Sequence, residues 1–130
     1  MIGSLRIGIA DDDLGSRNTL RDMLLSLGHS VVSLAEDGEQ LVAQCRAQHP
    51  DLVVIDLEMP VLDGLAAAEE ICAAEHLPII LVSGHPDFDH VVRRHEPFAA
   101  FLAKPVTLQR LRQAVQDAMA RSSQQRKPDS

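Results

Sequence analysis

Short apolar runs alternate with amphipathic segments along most of this chain of 130 residues. The runs are mostly continuous, which is typical of strands covered on both faces of a parallel sheet. They lie at residues 5–10, 31–35, 52–55, 79–82 and 98–102. Such alternation predicts an α/β protein, with crossover helices on both faces of one parallel sheet.

The segments between these runs carry apolar residues at helical spacing. Clear helices are predicted at residues 15–27, 38–49, 65–75 and 108–120. Thr107 is the expected N-cap of the last one. A shorter helix is predicted within residues 84–97, which are poor in apolar side chains and contain two prolines. Because the chain turns polar at Arg121, we expect one domain at residues 1–120 and a disordered tail or linker stub at 121–130.

Composition excludes several classes of function. The formal net charge is -7, and the chain has no Trp, no Tyr and three Phe, so direct binding of nucleic acid is not expected. No apolar stretch is long enough to span a membrane and no signal peptide begins the chain, so a cytoplasmic location is expected. Cys45 and Cys72 fall inside predicted helices without CxxC spacing, which predicts reduced core residues.

Acidic residues follow two of the predicted strands. Asp11, Asp12 and Asp13 come directly after the first strand, and Asp56 closes the third. The carboxyl ends of parallel strands share one edge of the sheet, where open α/β sheets bind ligands. Carboxylates this close are unfavourable unless a divalent cation or protons neutralise them. The pattern therefore predicts a metal site, although Asp13 alone also suits a helix cap.

Ser83 and Lys104 follow the fourth and fifth predicted strands and are expected at the same edge. Asp56 is a possible carboxylate nucleophile towards phosphorus. Mg²⁺ on the acidic residues, the Lys104 ammonium and the Ser83 hydroxyl would then compensate the charge on the phosphoryl oxygens. Ser83 also suits an ordinary turn, and Lys104 a solvated loop. Together the residues predict a phosphoryl-transfer site.

These motifs give the chain a close resemblance to the receiver domain of two-component response regulators. The resemblance spans roughly residues 3–120. It rests on the acidic pair Asp11-Asp12, the run Asp56-Leu57-Glu58-Met59-Pro60 with Asp63-Gly64, then Ser83, and finally Lys104-Pro105. It implies the flavodoxin-like (βα)5 fold, a doubly wound parallel sheet of strand order 2-1-3-4-5.

The resemblance also implies roles for single residues. Asp56 would accept a phosphoryl group from a histidine kinase, a phosphotransfer protein or a small phosphodonor, with Lys104 contacting that group. Mg²⁺ or Mn²⁺ would be held by Asp11, Asp12, Asp56 and the backbone carbonyl of Glu58. Ser83 and Phe101 would be the switch residues, although Phe101 also suits simple packing.

Two positions on the rim of the site depart from the common family pattern. Glu58 adds a negative charge beside Asp56, and His85 lies two residues after Ser83. In the family these positions influence the lifetime of the acyl phosphate. We expect Glu58 to repel an anionic phosphodonor or compete for the cation, and a protonated His85 to offset it partly.

The expected function is a phosphorylation-driven switch, not an enzyme. Phosphorylation would change the face formed by the predicted fourth helix, the fifth strand and the last helix, where an output partner, an output domain or a second copy would bind. One alternative is a degenerate receiver that acts only as an interaction module. The other is a haloacid dehalogenase-like phosphatase built on Asp11 and Asp13. Against it, this chain lacks the further acidic pair that such an enzyme needs after Lys104.

Overall fold

The computed structural model describes residues 3–56, 77–84 and 99–125 of the chain. Five strands and three helices lie within these ranges. The strands are β1 Arg6–Ala10, β2 Ser30–Ala35, β3 Leu52–Asp56, β4 Ile79–Ser83 and β5 Ala99–Ala103. The helices are α1 Leu14–Ser26, α2 Gly38–Gln48 and α3 Leu108–Gln125. The predicted helices at residues 65–75 and within 84–97 lie outside the described residues.

The strands form one sheet in the order β2-β1-β3-β4-β5, and every neighbouring pair is parallel. This is the flavodoxin-like order that the resemblance implied, so the predicted fold class is confirmed. Each strand begins and ends within one residue of its predicted bounds. The agreement follows from burial, because continuous apolar runs such as residues 52–55 are buried along their whole length.

An aliphatic core lies between one face of the sheet and helices α1 and α3. Leu20 and Leu24 of α1 and Leu111 and Val115 of α3 belong to one buried cluster with alternate residues of the strands. Helix α2 packs against β1 and β2 and buries Leu41 and Cys45, which confirms Cys45 as a free thiol in the core. Cys72 lies outside the described residues.

The last helix is longer than the sequence predicted. Helix α3 begins after Thr107, whose Oγ1 accepts a hydrogen bond from the Arg110 N–H at 3.2 Å, so the predicted cap is confirmed. The helix continues to Gln125, past the expected domain end at residue 120, and the division into a domain and a disordered tail or linker stub stays a prediction. Residues 121–125 contain no glycine or proline, and the first helix breaker after them is Pro128.

A bulge interrupts the pairing of the first two strands just before the acidic loop. Ile7 pairs with Val31, but Gly8 pairs with Ser33, so β2 contributes one extra residue there. A Cβ atom at Gly8 would lie 2.7 Å from Ser33 Oγ and 3.2 Å from Val53 Cγ1. Glycine therefore permits this close approach of β1 to its two neighbours.

In the part of the chain that the structure describes, no helix has both the length and the apolar character needed to cross a membrane.

Candidate functional site

Four strands end at the same edge of the sheet and deliver the predicted site residues there. Asp11 follows β1, Asp56 ends β3, Ser83 ends β4 and Lys104 follows β5. The pairing of β1 with β3, β3 with β4 and β4 with β5 makes these strand ends neighbours. The backbone N–H of Lys104 donates to the carbonyl of Ser83 at 3.0 Å, which fixes the fifth strand end against the fourth.

Asp56 and Lys104 form a direct ion pair. Lys104 Nζ lies 3.0 Å from Asp56 Oδ2 and donates a hydrogen bond to it. The Asp56 side chain is only 2% exposed, whereas that of Lys104 is 29% exposed. A charged carboxylate buried to this extent is stabilised by a hydrogen-bonded cation. Lys104 is therefore a partner of the site and not a solvated loop residue. The peptide bond between Lys104 and Pro105 is cis.

Asp11 is the other buried carboxylate at this edge, with 1% exposure. Its Oδ1 accepts a hydrogen bond from the Asp13 N–H at 2.9 Å. Its Oδ2 is buried and has no hydrogen-bond partner among the described residues. Burial raises the pKa of Asp11 to about 7, and the negative charge of Asp56 adds to this, against the opposing effects of the Asp13 N–H and Lys104. The Asp11–Asp56 pair is thus short of positive charge.

The donor set fits a hard divalent cation. Asp11 Oδ2, which has no hydrogen-bond partner among the described residues, lies near the carboxylate of Asp56. Carboxylate oxygens are the ligands that Mg²⁺ or Mn²⁺ prefers, and Mg²⁺ usually keeps several waters in addition. Within residues 3–56, 77–84 and 99–125, no group of three or more His, Cys, Asp or Glu side chains is placed to hold a metal. Asp12 is exposed at the surface, and Glu58 lies outside the described residues. The metal roles of Asp11, Asp12, Asp56 and Glu58 all stay predictions.

A cavity of about 700 Å³ opens beside the ion pair. Its lining combines the charged groups of Asp11, Asp56 and Lys104 with residues of α1 and of the segment that joins β5 to α3. The contributing residues outside the charged set are Gly15, Ser16, Thr19, Leu20, Val82, Gly84, Pro105 and Val106. The cavity reaches the buried Asp56 carboxylate, and most of its lining is apolar.

The predicted switch residues occupy different environments. Ser83 is buried, with 3% exposure, at the site edge of β4. Phe101 is 38% exposed and pairs in register with Leu81 of β4. Both positions suit a switch, but their movement stays a prediction. Of the two rim residues, Glu58 and His85, neither lies within the described residues.

Asp13 is a helix cap. Its side chain accepts a hydrogen bond from the Ser16 N–H at 2.8 Å at the start of α1, which lowers the pKa of Asp13. This confirms the capping interpretation. It also weighs against the haloacid dehalogenase-like alternative, in which Asp13 would have to act in the site beside Asp11.

Sequence reasoning missed Arg17. Its Nη1 donates to the backbone carbonyl of Asp11 at 2.9 Å, from the first turns of α1 back to the end of β1. The signal was an arginine four residues after the helix cap, within reach of the loop that the cap closes. Spacing alone does not distinguish such a residue from an ordinary surface cation.

The fold agrees with the comparisons to known proteins. The family model of the response regulator receiver domain matches residues 7–116, a range that includes Asp11, Asp56, Ser83 and Lys104. This chain belongs to the response regulator receiver family. The family and the fold that the sequence motifs indicated are thus confirmed, and the roles of the site residues stay predictions.

Curated relatives of this receiver are about one-third identical to it. The transcriptional regulatory protein PdtaR of Mycobacterium tuberculosis (strain H37Rv) is 35% identical over 117 residues, which cover 89% of this chain and 57% of PdtaR. Response regulator MprA of Mycobacterium sp. (strain KMS) is 33% identical over 128 residues, 97% of this chain and 55% of MprA. The receiver therefore spans little more than half the length of these relatives.

Solved structures share the fold of this receiver. The signal receiver domain of a modulated diguanylate cyclase from Desulfovibrio desulfuricans G20 superposes with a TM-score of 0.81 at 28% identity, covering 94% of this chain and 98% of that one. A response regulator receiver domain protein from Clostridium thermocellum gives a TM-score of 0.79 at 27% identity, covering 92% and 98%.

Proposed function

We propose that this receiver accepts a phosphoryl group on Asp56 in a reaction that depends on Mg²⁺ or Mn²⁺. The observation that carries the proposal is the buried Asp56 carboxylate, 3.0 Å from the Lys104 ammonium and next to Asp11, whose Oδ2 has no hydrogen-bond partner among the described residues. In a site that served only stability, a second buried carboxylate without a compensating positive charge would be destabilising.

The transfer step follows from the chemistry of the residues. One oxygen of the Asp56 carboxylate forms a bond to phosphorus, while the bond from phosphorus to the donor's nitrogen or oxygen breaks and its electron pair leaves with that atom. The Lys104 ammonium is near enough to Asp56 to contact the transferred oxygens. Asp11 and Asp56 would hold Mg²⁺, with Asp12 and the Glu58 carbonyl as further ligands, and the bound ion would neutralise charge on the phosphoryl group.

Phosphorylation then acts as a conformational signal. We infer that Ser83 turns its hydroxyl to the phosphoryl oxygens and that Phe101 moves from its exposed position as the equilibrium shifts. The face that would change includes Phe101 and the exposed Leu108 at the start of α3. A second copy of the chain, an output protein or an output domain would bind there.

The phosphoryl donor is proposed to be a histidine kinase or a phosphotransfer protein, and the location cytoplasmic. The relatives carry sequence beyond the matched region, so the output of the whole protein is also a proposal. We further propose that Glu58 slows transfer from small anionic donors, which Glu58→Asn should reverse. Equal phosphorylation and dephosphorylation rates in the parent and Glu58→Asn would remove that role.

The test is intact-mass spectrometry after incubation with acetyl phosphate, with either MgCl₂ or EDTA. We expect a mass increase of one phosphoryl group in MgCl₂, none in EDTA, and none for Asp56→Asn. A folded parent that binds Mg²⁺ but gains no mass from acetyl phosphate or from a phosphorylated histidine kinase would instead support the degenerate receiver, an interaction module that works without phosphorylation.

A further inference from the structure

Arg17 reaches from helix α1 to the strand end that carries Asp11. Its Nη1 donates to the Asp11 carbonyl at 2.9 Å, and its side chain is only partly exposed. Its backbone N–H donates to the Asp13 carbonyl, also at 2.9 Å. The two hydrogen bonds hold both ends of the acidic loop, residues 11–13, against the first turns of the helix.

The hydrogen bonds of Asp11 show how Arg17 affects the orientation of the Asp11 carboxylate. The Asp11 N–H donates to the carbonyl of Ala35 on β2 at 3.0 Å, and Oδ1 accepts from the Asp13 N–H. The Asp11 carbonyl accepts from Arg17. Of the polar atoms of Asp11, Oδ2 has no hydrogen-bond partner among the described residues. The direction of Oδ2 is therefore set by the backbone of the loop, and the loop backbone is in turn held by Arg17.

The rest of the loop belongs to the same network. Asp13, whose N–H bonds Asp11 Oδ1, also caps α1 through the Ser16 N–H at 2.8 Å. A shift of the Asp11 carbonyl would change the peptide planes between Asp11 and Asp13 and so move the donor that orients the Asp11 carboxylate. Outer groups that orient metal ligands typically change metal affinity by about 10- to 100-fold when removed.

We propose that Arg17 is a positioning residue that holds Asp11 in the geometry that binds the divalent cation. This inference rests on the proposed function, since it assigns Arg17 a part in the metal site used for phosphoryl transfer. Arg17 touches neither the metal nor the phosphoryl group. It acts through the backbone carbonyl of a ligand residue.

Charge and positioning predict opposite results when Arg17 is removed. A cation near a metal site repels the metal, so loss of the charge alone would leave Mg²⁺ affinity unchanged or increase it. Loss of positioning would decrease it. The sign of the change therefore separates a surface charge from a positioning residue without any measurement of activity.

The experiment measures the Mg²⁺ dissociation constant of the full chain by isothermal titration calorimetry, because the absence of Trp and Tyr rules out intrinsic Trp or Tyr fluorescence. We expect Arg17→Met to raise the dissociation constant by about 10-fold or more. The control is Arg21→Met on the same helix, since Arg21 pairs only locally with exposed Asp22 at 3.2 Å in the described structure. This control should bind Mg²⁺ like the parent. Affinity of Arg17→Met equal to or tighter than that of the parent would overturn the inference.

A second measurement follows the hydrogen bonding of the acidic loop in the absence of metal. In EDTA, amide hydrogen exchange of Asp13 should be faster in Arg17→Met than in the parent and in Arg21→Met, because the bond to Asp11 Oδ1 is loosened. If Arg17→Met does not fold, Arg17→Gln, which also lacks the guanidinium, replaces it. The Asp13 amide should exchange faster in that variant too. Unchanged exchange of Asp13 overturns the inference whatever the metal does, whereas a parent that binds no Mg²⁺ at all contradicts the proposed function.

Discussion

The Lys104 ammonium lies 3.0 Å from Asp56 Oδ2, across 48 residues of sequence, and is the cation paired with a carboxylate that is 2% exposed. The pair joins the third strand to the segment after the fifth strand at the site edge of the sheet. Loss of the pair would leave a buried carboxylate without this cation, and the pair links Asp56, the proposed phosphoacceptor, to the strand that carries Phe101.

Lys104→Met should destabilise the metal-free protein. The change leaves the Asp56 carboxylate buried without its cation, and because Lys104 is partly exposed we expect a loss of about 1–3 kcal/mol in the free energy of unfolding. Urea denaturation in EDTA measures it. In the Asp56→Asn background the same substitution should cost much less, since the charge that needs Lys104 is gone. An equal cost in both backgrounds would show that the pair does not couple.

The free energy of unfolding should depend on pH because the pKa of Asp11 is raised in the folded protein. The Asp11 pKa is raised to about 7 in the folded protein from 3.8, so the folded state holds a proton that the unfolded chain releases. Stability from this group is complete below about pH 4 and is lost as pH rises towards 7. The loss is on the order of a few kcal/mol, since one pKa unit corresponds to about 1.4 kcal/mol.

Urea unfolding at pH 5 and pH 8 in EDTA tests this for the parent and Asp11→Asn. The parent should lose more stability than the variant between the two pH values, because asparagine does not titrate. Addition of Mg²⁺ at pH 8 should restore stability to the parent but much less to Asp11→Asn. Identical pH profiles of the two proteins would contradict the assignment of the raised pKa to Asp11.

Several features of this molecule were predictable from the sequence for physical reasons. Buried parallel strands are continuous apolar runs, so the sequence predicts the strand ends. It thereby predicts that one edge of the sheet carries Asp11, Asp56, Ser83 and Lys104. The strand order came from the family resemblance, because alternation of strands and helices does not determine it.

Other features depend on contacts between segments that are distant in sequence. The bulge opposite Gly8 depends on how β1 fits between β2 and β3, and neither neighbour is identified by local sequence. The hydrogen bond of Arg17 depends on a rotamer and a loop shape. The extension of α3 to Gln125 is not predictable from an apolar pattern, because residues 121–125 are polar and continue no apolar stripe.

Gly8→Ala should destabilise the protein, because the new Cβ atom would lie 2.7 Å from Ser33 Oγ and 3.2 Å from Val53 Cγ1. We expect a loss of about 1–3 kcal/mol in the free energy of unfolding. Gly3→Ala is the matched control, since a Cβ there meets nothing within 4 Å. Ser33→Ala in the same chain should recover part of the loss. A Gly8→Ala protein as stable as Gly3→Ala would mean that the strands separate at little cost.

The measurement that tests the account most directly is the location of the phosphoryl group after reaction with acetyl phosphate and Mg²⁺. Peptide mapping by mass spectrometry should find it on Asp56 in the parent and in Asp51→Asn, a control that alters an exposed carboxylate bonded to the Arg6 N–H at 2.8 Å. It should be absent from Asp56→Asn and from the parent in EDTA. A phosphoryl group on any other residue, or one that forms equally well without a divalent cation, would contradict the proposed function.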